Sequence, residues 1–311
     1  MTRLRAVLLA SAIASFMCLL FPGTENAAVA STDHQARGIR AHTGGPAQAS
    51  RLKASKRRSA KRPAAIEGVL LKDLTTGQTL FEQRADQPMS PASLTKIMTA
   101  IVILEEADLE DQVTVSRHAA AARRLKLHLK PGQVLPLRGL LEAMLIRSAN
   151  DACLAAAEHV GGDEDSFVTK MNAKAQAMGL TSTHFRNACG FDMDEHVSTA
   201  RDLATLTEYA MANATFAAIV KEPAAVIRTI DPRRTFIART TNRLLGVIDG
   251  AVGVKTGYTR KAGRCLIALV RKEDKELLLV LLNTRQRWRT AKNLIHYGLR
   301  AQASPLNTAS R

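Results

Sequence analysis

From residue 66 onward the chain alternates between two hydrophobic periods. Residues 66–73 and 78–82 are extended apolar runs on either side of Leu-Thr-Thr-Gly, which is the pattern of a β-hairpin. At 89–100 the period changes. Pro91 suits a first helical turn, and Ile97, Met98, Ile101 and Leu104 then recur at helical spacing. A short extended piece follows at 111–115. Residues 123–135 are basic and turn at Pro131-Gly132. Helical periods return at 137–146 and at 152–160, where Gly161-Gly162 ends the run. Asp163-Glu164-Asp165 opens a third helix that stops at Gly179. A further helix is predicted over 199–212. Strands return at 264–270 and 276–282, joined by the charged loop Arg-Lys-Glu-Asp-Lys, and a last amphipathic helix covers 287–299. Strands at both ends and helices between them predict an α/β (α+β) fold. An antiparallel sheet brings the first and last strands together, is flanked by helices, and carries an inserted, mainly helical lobe. A cleft between sheet and lobe is a natural place for a site.

The N-terminal residues follow neither period. Arg3 and Arg5 precede an apolar run over 6–21, and Ala28-Val29-Ala30 reads as a small-x-small cleavage site. Residues 1–30 are therefore predicted to be a secretory signal peptide, with a mature start at Ser31 and an extracytoplasmic location, soluble or peripherally attached. Residues 31–64 lack core-forming residues. They hold nine basic residues against Asp33 alone, a net +8 out of +16 for the whole chain. They are predicted to form a disordered linker. Residues 31–62 read first as a plain solvated linker, with a contact to an anionic envelope polymer or lipid surface as the alternative. Residues 65–300 are the expected catalytic domain, and 301–311 a patternless tail.

Composition narrows the reading only a little. Apolar residues make up 46% of the chain, as in a folded globular protein. A charge of +16 raises nucleic acid as a partner. The export pattern and the concentration of charge in an aromatic-free linker argue against it. Cys153, Cys189 and Cys265 remain after the signal. An odd, widely spaced set is not a disulfide framework. Buried free thiols are expected, with one bridge as the alternative. The histidines show no metal-binding spacing, so no cofactor or metal is expected.

Three short motifs carry the candidate chemistry. Ser93 and Lys96 share one face of the predicted helix. At a helix N-terminus the serine has outward-facing backbone N–H groups, and a lysine one turn on can take its proton if its pKa is lowered. Alone the pattern is weak, since Ser-x-x-Lys arises by chance roughly once in a chain of this length. Ser148-Ala149-Asn150 interrupts the apolar pattern 55 residues further on, and Lys255-Thr256-Gly257 follows after another 107. The ordered triple, each member on the right kind of element, is far more specific.

Over residues 66–299 the chain resembles the low-molecular-mass penicillin-binding proteins, serine D-alanyl-D-alanine peptidases. Pro-Ala-Ser-Leu-Thr-Lys-Ile-Met-Thr, Ser-Ala-Asn-Asp-Ala-Cys, the segment from His196 to Ala204, Asn242-Arg-Leu-Leu and Lys-Thr-Gly-Tyr-Thr-Arg-Lys-Ala-Gly-Arg-Cys-Leu all fit that family's pattern. Ala149 departs from it, where many members have Gly. The resemblance implies that Ser93 attacks the penultimate D-alanine carbonyl and that Lys96, neutral beside a positive charge, is its base. Ser148 would relay a proton to the leaving amine, and Asn150 would hold the substrate amide and fix Lys96. Lys255 and Thr256 would bind the terminal carboxylate. Gly257 would let the peptide approach the strand edge. The backbone N–H groups of Ser93 and Tyr258 would form the oxyanion hole. His196 is read as structural. Arg260 and Arg264 are candidates for carboxylate binding, with a solvated role as the alternative.

The implied activity is D-alanyl-D-alanine carboxypeptidase on peptidoglycan pentapeptides, inhibited covalently by β-lactams. The alternative is an endopeptidase that cuts cross-linked peptides. The chain ends soon after residue 299, with no further β-rich domain in the sequence, and this keeps the endopeptidase reading open. A β-lactamase would need Glu-x-x-x-Asn downstream of the second motif, and no glutamate between 150 and 255 has Asn four residues on. A catalytically dead penicillin-binding sensor is disfavoured by the complete motif set.

Overall fold

A computed structural model describes residues 67–230 and 234–301. The predicted signal at 1–30, the basic linker at 31–64 with its alternative of a polymer or lipid contact, and residues 302–311 lie outside the described residues. Along the chain run β1 (Gly68–Asp73), β2 (Thr79–Gln83), α1 (Lys96–Glu106), β3 (Gln112–Thr114), α2 (Arg117–Ala120), β4 (Val134–Pro136) and α3 (Leu137–Glu142). They are followed by α4 (Asn150–Gly161), α5 (Glu164–Ala177), α6 (Ala200–Met211), α7 (Ala214–Val220), β5 (Ala224–Arg228) and β6 (Thr235–Arg239). The chain closes with β7 (Ala251–Thr259), β8 (Gly263–Lys272), β9 (Lys275–Leu282) and α8 (Arg287–Arg300).

The main sheet is antiparallel in the order β2-β1-β9-β8-β7. The first and last strands meet as the pattern predicted, with Leu70 opposite Val280. β9 is buried on both faces, which is why its sequence reads as an unbroken apolar run. Leu277, Leu279 and Leu281 pack with Ala291 and Ile295 of α8. Leu278, Val280 and Leu282 point the other way, into the core shared with α1 and the helical lobe. Truncating Leu279 to Ala would cost roughly 2–5 kcal/mol.

The helix after Ser93 differs from its predicted one-sided stripe. Residues Ala92–Thr95 form a 3₁₀ turn, and α1 begins only at Lys96. Its residues from Lys96 to Ile103 are all buried, because α4, α5 and α6 surround it while the preceding turn packs on β7 and β8. Thr99, polar and fully enclosed, donates to the Ala188 carbonyl at 2.5 Å.

Other elements were not legible. The β5–β6 hairpin buries only Ile227 and Ala238 fully, while Val226 and Ile237 are apolar on its exposed face, so its sequence lacks a clean apolar-polar alternation. The five-residue loop expected between β8 and β9 shrinks to Glu273-Asp274, because pairing continues to Lys272 opposite Lys275. The expectation of free thiols is corrected at two positions. Cys153 and Cys189 form a disulfide, since α4 and the loop after α5 converge beside α1, with Cα atoms 6.0 Å apart. Cys265 is a buried free thiol.

Candidate active site

The nucleophile turn is held between two glycines. A Cβ at Gly257 of β7 would lie 3.1 Å from both the Ala92 Cβ and the Pro91 carbonyl, and 3.2 Å from the Ser93 nitrogen. A Cβ at Gly190 would overlap the Ala92 carbonyl outright. A side chain at Gly190 would bar the turn carrying Ser93 from its seat, and one at Gly257 would push it off the edge strand by a few tenths of an ångström. Gly257 thus does more than admit a peptide.

Lys96 is enclosed completely. Its Nζ donates to Ser93 Oγ at 3.2 Å, Asn150 Oδ1 at 2.8 Å and the Cys189 carbonyl at 2.5 Å. Burial is the largest cause that holds its pKa well below the ordinary lysine range, and the charge of Lys255 is the second. The nearby positive charge expected from the sequence is therefore present but secondary. The three partners also fix where a lone pair must point. The Asn150 oxygen and the Cys189 carbonyl can only accept, and Asn150 Nδ2 is already committed to the Arg123 carbonyl at 2.8 Å. When Lys96 is neutral, Ser93 is the one partner able to donate to it.

Ser148 sits where the helical backbone breaks. A π turn over Ala143–Arg147 ends with Ser148 in the left-handed region at φ 64°. Such strain in a non-glycine residue is typical of working sites. Its Oγ accepts from Lys255 Nζ at 2.8 Å. Among the described residues no hydrogen bond joins Ser148 to Ser93 or Lys96. Lys255 is only 1% exposed, and burial together with Arg287 brings its pKa down to about 7. The charge it presents to Lys96 therefore depends on pH near neutrality.

Ser93, Ser148, Asn150, Thr256, Gly257 and Tyr258 line one cavity of about 500 Å³. Lys96 and Lys255 lie behind its wall, within hydrogen-bonding reach of Ser93 and Ser148. Thr256 Oγ1 shares a 2.5 Å hydrogen bond with Thr241 Oγ1. The sequence-predicted residues thus converge from the 3₁₀ turn and the start of α1, the α3–α4 junction and β7. This arrangement can activate a serine by a neutral amine and hold an anion over β7.

A family model for D-alanyl-D-alanine carboxypeptidases matches residues 55–286. The chain belongs to this family. Family members with similar sequences include DacC of Escherichia coli, 36% identical over 74% of this chain and 60% of its own length. DacF of Bacillus subtilis is 33% identical over 69% of this chain and 56% of its own length. The chain thus spans less than two thirds of these two relatives. DacB2 of Mycobacterium tuberculosis is 34% identical over 68% of this chain and 73% of its own length. Among solved structures, the DD-transpeptidase of Streptomyces K15 superposes with a TM-score of 0.71 at 32% identity. That match covers 76% of this chain and 98% of the Streptomyces chain.

Arg287 is the site residue that reading the family motifs missed. It lines the cavity from the start of α8, and its Nη1 donates to the Gly257 carbonyl at 2.8 Å and the Cys265 carbonyl at 3.0 Å. It lies outside all three motifs, and only the sheet order brings it beneath β7. Arg260 and Arg264 do not line the cavity, and Arg264 instead reaches the Arg285 carbonyl. Asp151 was also overlooked. It is buried, and its carboxylate accepts from the Leu127 and Leu129 N–H groups, which pins residues 125–129 beside the site.

His196 proves structural, as expected. The Arg186 N–H donates to Nδ1 at 3.0 Å, so Nε2 carries the proton and donates to Thr95 Oγ1 at 2.8 Å. Thr95 passes the chain on to the Ala92 carbonyl at 2.8 Å. Burial lowers the imidazole pKa to about 4, which keeps it neutral beneath the nucleophile turn.

Proposed function

We propose that this chain is an exported serine D-alanyl-D-alanine carboxypeptidase acting on peptidoglycan stem pentapeptides through an acyl-enzyme. The observation that carries the reading is the enclosed Lys96, whose free lone pair can face only Ser93. Neutral Lys96 takes the Ser93 proton as Oγ attacks the penultimate D-alanine carbonyl. The developing oxyanion meets the backbone N–H groups of Ser93 and Tyr258. The terminal carboxylate lies against Lys255, Thr256 and Arg287. The proton that Lys96 took is returned through the Ser148 hydroxyl, which Lys255 holds in place, to the departing D-alanine nitrogen, so Lys96 is neutral again and Ser148 keeps its proton. Asn150 orients the substrate amide and Lys96 together. Water then releases the shortened peptide and restores the Ser93 hydroxyl. The pattern of residues 1–30 supports export, and N-terminal sequencing of the mature protein should begin at Ser31.

Digestion of a pentapeptide monomer and a cross-linked dimer tests this reading. D-alanine release from the monomer, with the dimer untouched, is the expected result. Cleavage of the dimer instead would establish the endopeptidase. Transfer of the acyl group to an added amine would match the activity in the name of the Streptomyces neighbour. Ser93→Ala should abolish both turnover and covalent penicillin labelling, and labelling that persists would overturn the assignment of the nucleophile.

A further inference from the structure

The cleft does not end at Tyr258. Arg124 lines the cavity over Ser93 and also a second one of about 440 Å³, walled by Arg123, Leu154, Phe191, Asp192 and Thr259. Consecutive positions of β7 divide between the two. Thr256, Gly257 and Tyr258 line the first, and Thr259 lines the second. β7 is the open edge of the sheet. A peptide paired antiparallel to that edge, with its carboxylate at Lys255 and Thr256 and its scissile carbonyl at Ser93, continues toward Thr259. The residue upstream of the acylating D-alanine then faces the second cavity. This placement rests on the peptidase reading given above.

The lining has a definite chemistry. Among the described residues, neither the Arg123 nor the Arg124 guanidinium has an ionic or hydrogen-bonding partner. Their backbone, by contrast, is held firmly. The Arg123 carbonyl accepts from Asn150 Nδ2 at 2.8 Å, and the Leu125 carbonyl accepts from the Asn150 N–H at 2.8 Å. The residue that fixes Lys96 therefore also fixes the loop that carries both arginines. Exposed arginines are ordinarily just solvated. These two border a cavity next to the reacting centre, with Arg124 lining both, on a loop anchored to that centre. A guanidinium fork matches a carboxylate bidentately. Asp192 lines the same cavity, and the Lys261 N–H holds its carboxylate at 3.2 Å. Two guanidinium groups and one carboxylate complement an amino-acid zwitterion.

We propose that this second cavity is the subsite for the third stem residue, and that Arg123 and Arg124 there select a side chain ending in a free carboxylate. A diamino-dicarboxylic acid fits, with its carboxylate toward the arginines and its ammonium toward Asp192. Lysine, or the same diacid as a carboxamide, leaves both guanidinium groups unpaired.

The test compares three pentapeptides that carry diaminopimelate, its side-chain carboxamide or lysine at the third position, cleaved by the full chain. The diacid should be favoured roughly 10-fold in kcat/KM at low salt, mostly through KM, and the preference should narrow as salt rises. Arg124→Gln and Arg123→Gln should each shrink that ratio, and the double variant should bring it near one, while thermal melting shows that the variants fold. Equal cleavage of all three peptides by the wild type overturns the subsite and leaves the peptidase reading intact. A preference undiminished in the double variant also overturns it. If no peptide is cleaved and penicillin fails to label Ser93, the peptidase reading falls and takes the subsite with it.

Discussion

Two buried lysines set the chemistry at the scale of single residues, and they differ in what they face. Lys96 meets a hydroxyl that can donate to it, and Lys255 meets the Ser148 hydroxyl beneath the expected carboxylate. In the free enzyme Lys255 loses its proton as pH rises through about 7. The kcat/KM for a peptide with a free C-terminal carboxylate should therefore fall above that pH. Once the carboxylate is bound it favours the ammonium form, so the corresponding limb of kcat should move to higher pH. A peptide ester, which has no carboxylate to hold, should lack this limb. Matching limbs for acid and ester would show that Lys255 does not hold the carboxylate. Lys96 could be proposed from sequence because Ser-x-x-Lys fixes two side chains on one face. The main cause of its lowered pKa was not legible there, since burial from three later helices cannot be read from a motif.

Elements place these residues through long-range ties, and the Cys153–Cys189 bridge is the one that spacing did not reveal. It links α4, which starts at Asn150, to the loop whose Cys189 carbonyl accepts from Lys96. Closing a loop with a sequence separation of 36 stabilises the fold by roughly 4 kcal/mol in the chain-entropy picture. Replacing both cysteines by serine should lower Tm by roughly 8–15 °C. The same change should slow penicillin acylation, because the Lys96 acceptor loses its anchor. An acylation rate equal to wild type would show that the other contacts of the loop, such as Asn187 Oδ1 to the Gly190 N–H at 2.7 Å, suffice to hold it. The longer helices and strands β1, β8 and β9 were readable because each buries one face or two. The β5–β6 hairpin was not, because apolar residues occupy both its faces, Ile227 and Ala238 in the core and Val226 and Ile237 toward solvent, which blurs the alternation. Arg287 escaped for a different reason, since a residue beneath β7 is found only once the sheet order is known.

The whole molecule decides the fate of the acyl-enzyme. No carboxylate lines the cavity over Ser93 among the described residues. Glu164, the glutamate whose field reaches Lys96, instead accepts from the Ala188 N–H at 2.9 Å. A penicilloyl-Ser93 ester thus has no carboxylate base to activate water against it. Penicillin should label the protein stoichiometrically and leave over minutes or longer, as followed by mass spectrometry. Rapid turnover of a chromogenic cephalosporin would contradict this. The split between sheet and helical lobe could be read from the order of periods along the chain. How closely the two halves interlock could not, because that depends on Gly190 and Gly257 removing side chains at one contact. The pairing of β1 with β9 has a consequence for biogenesis. Leu70 finds Val280 only after some two hundred intervening residues have been made, so β1 stays without that partner while the helices that enclose Lys96 are already available. The wall that holds Ser93 is therefore among the last parts of the molecule to close. A chain halted before residue 275 has the nucleophile, its base and Ser148, but no strand to join β1 to β8.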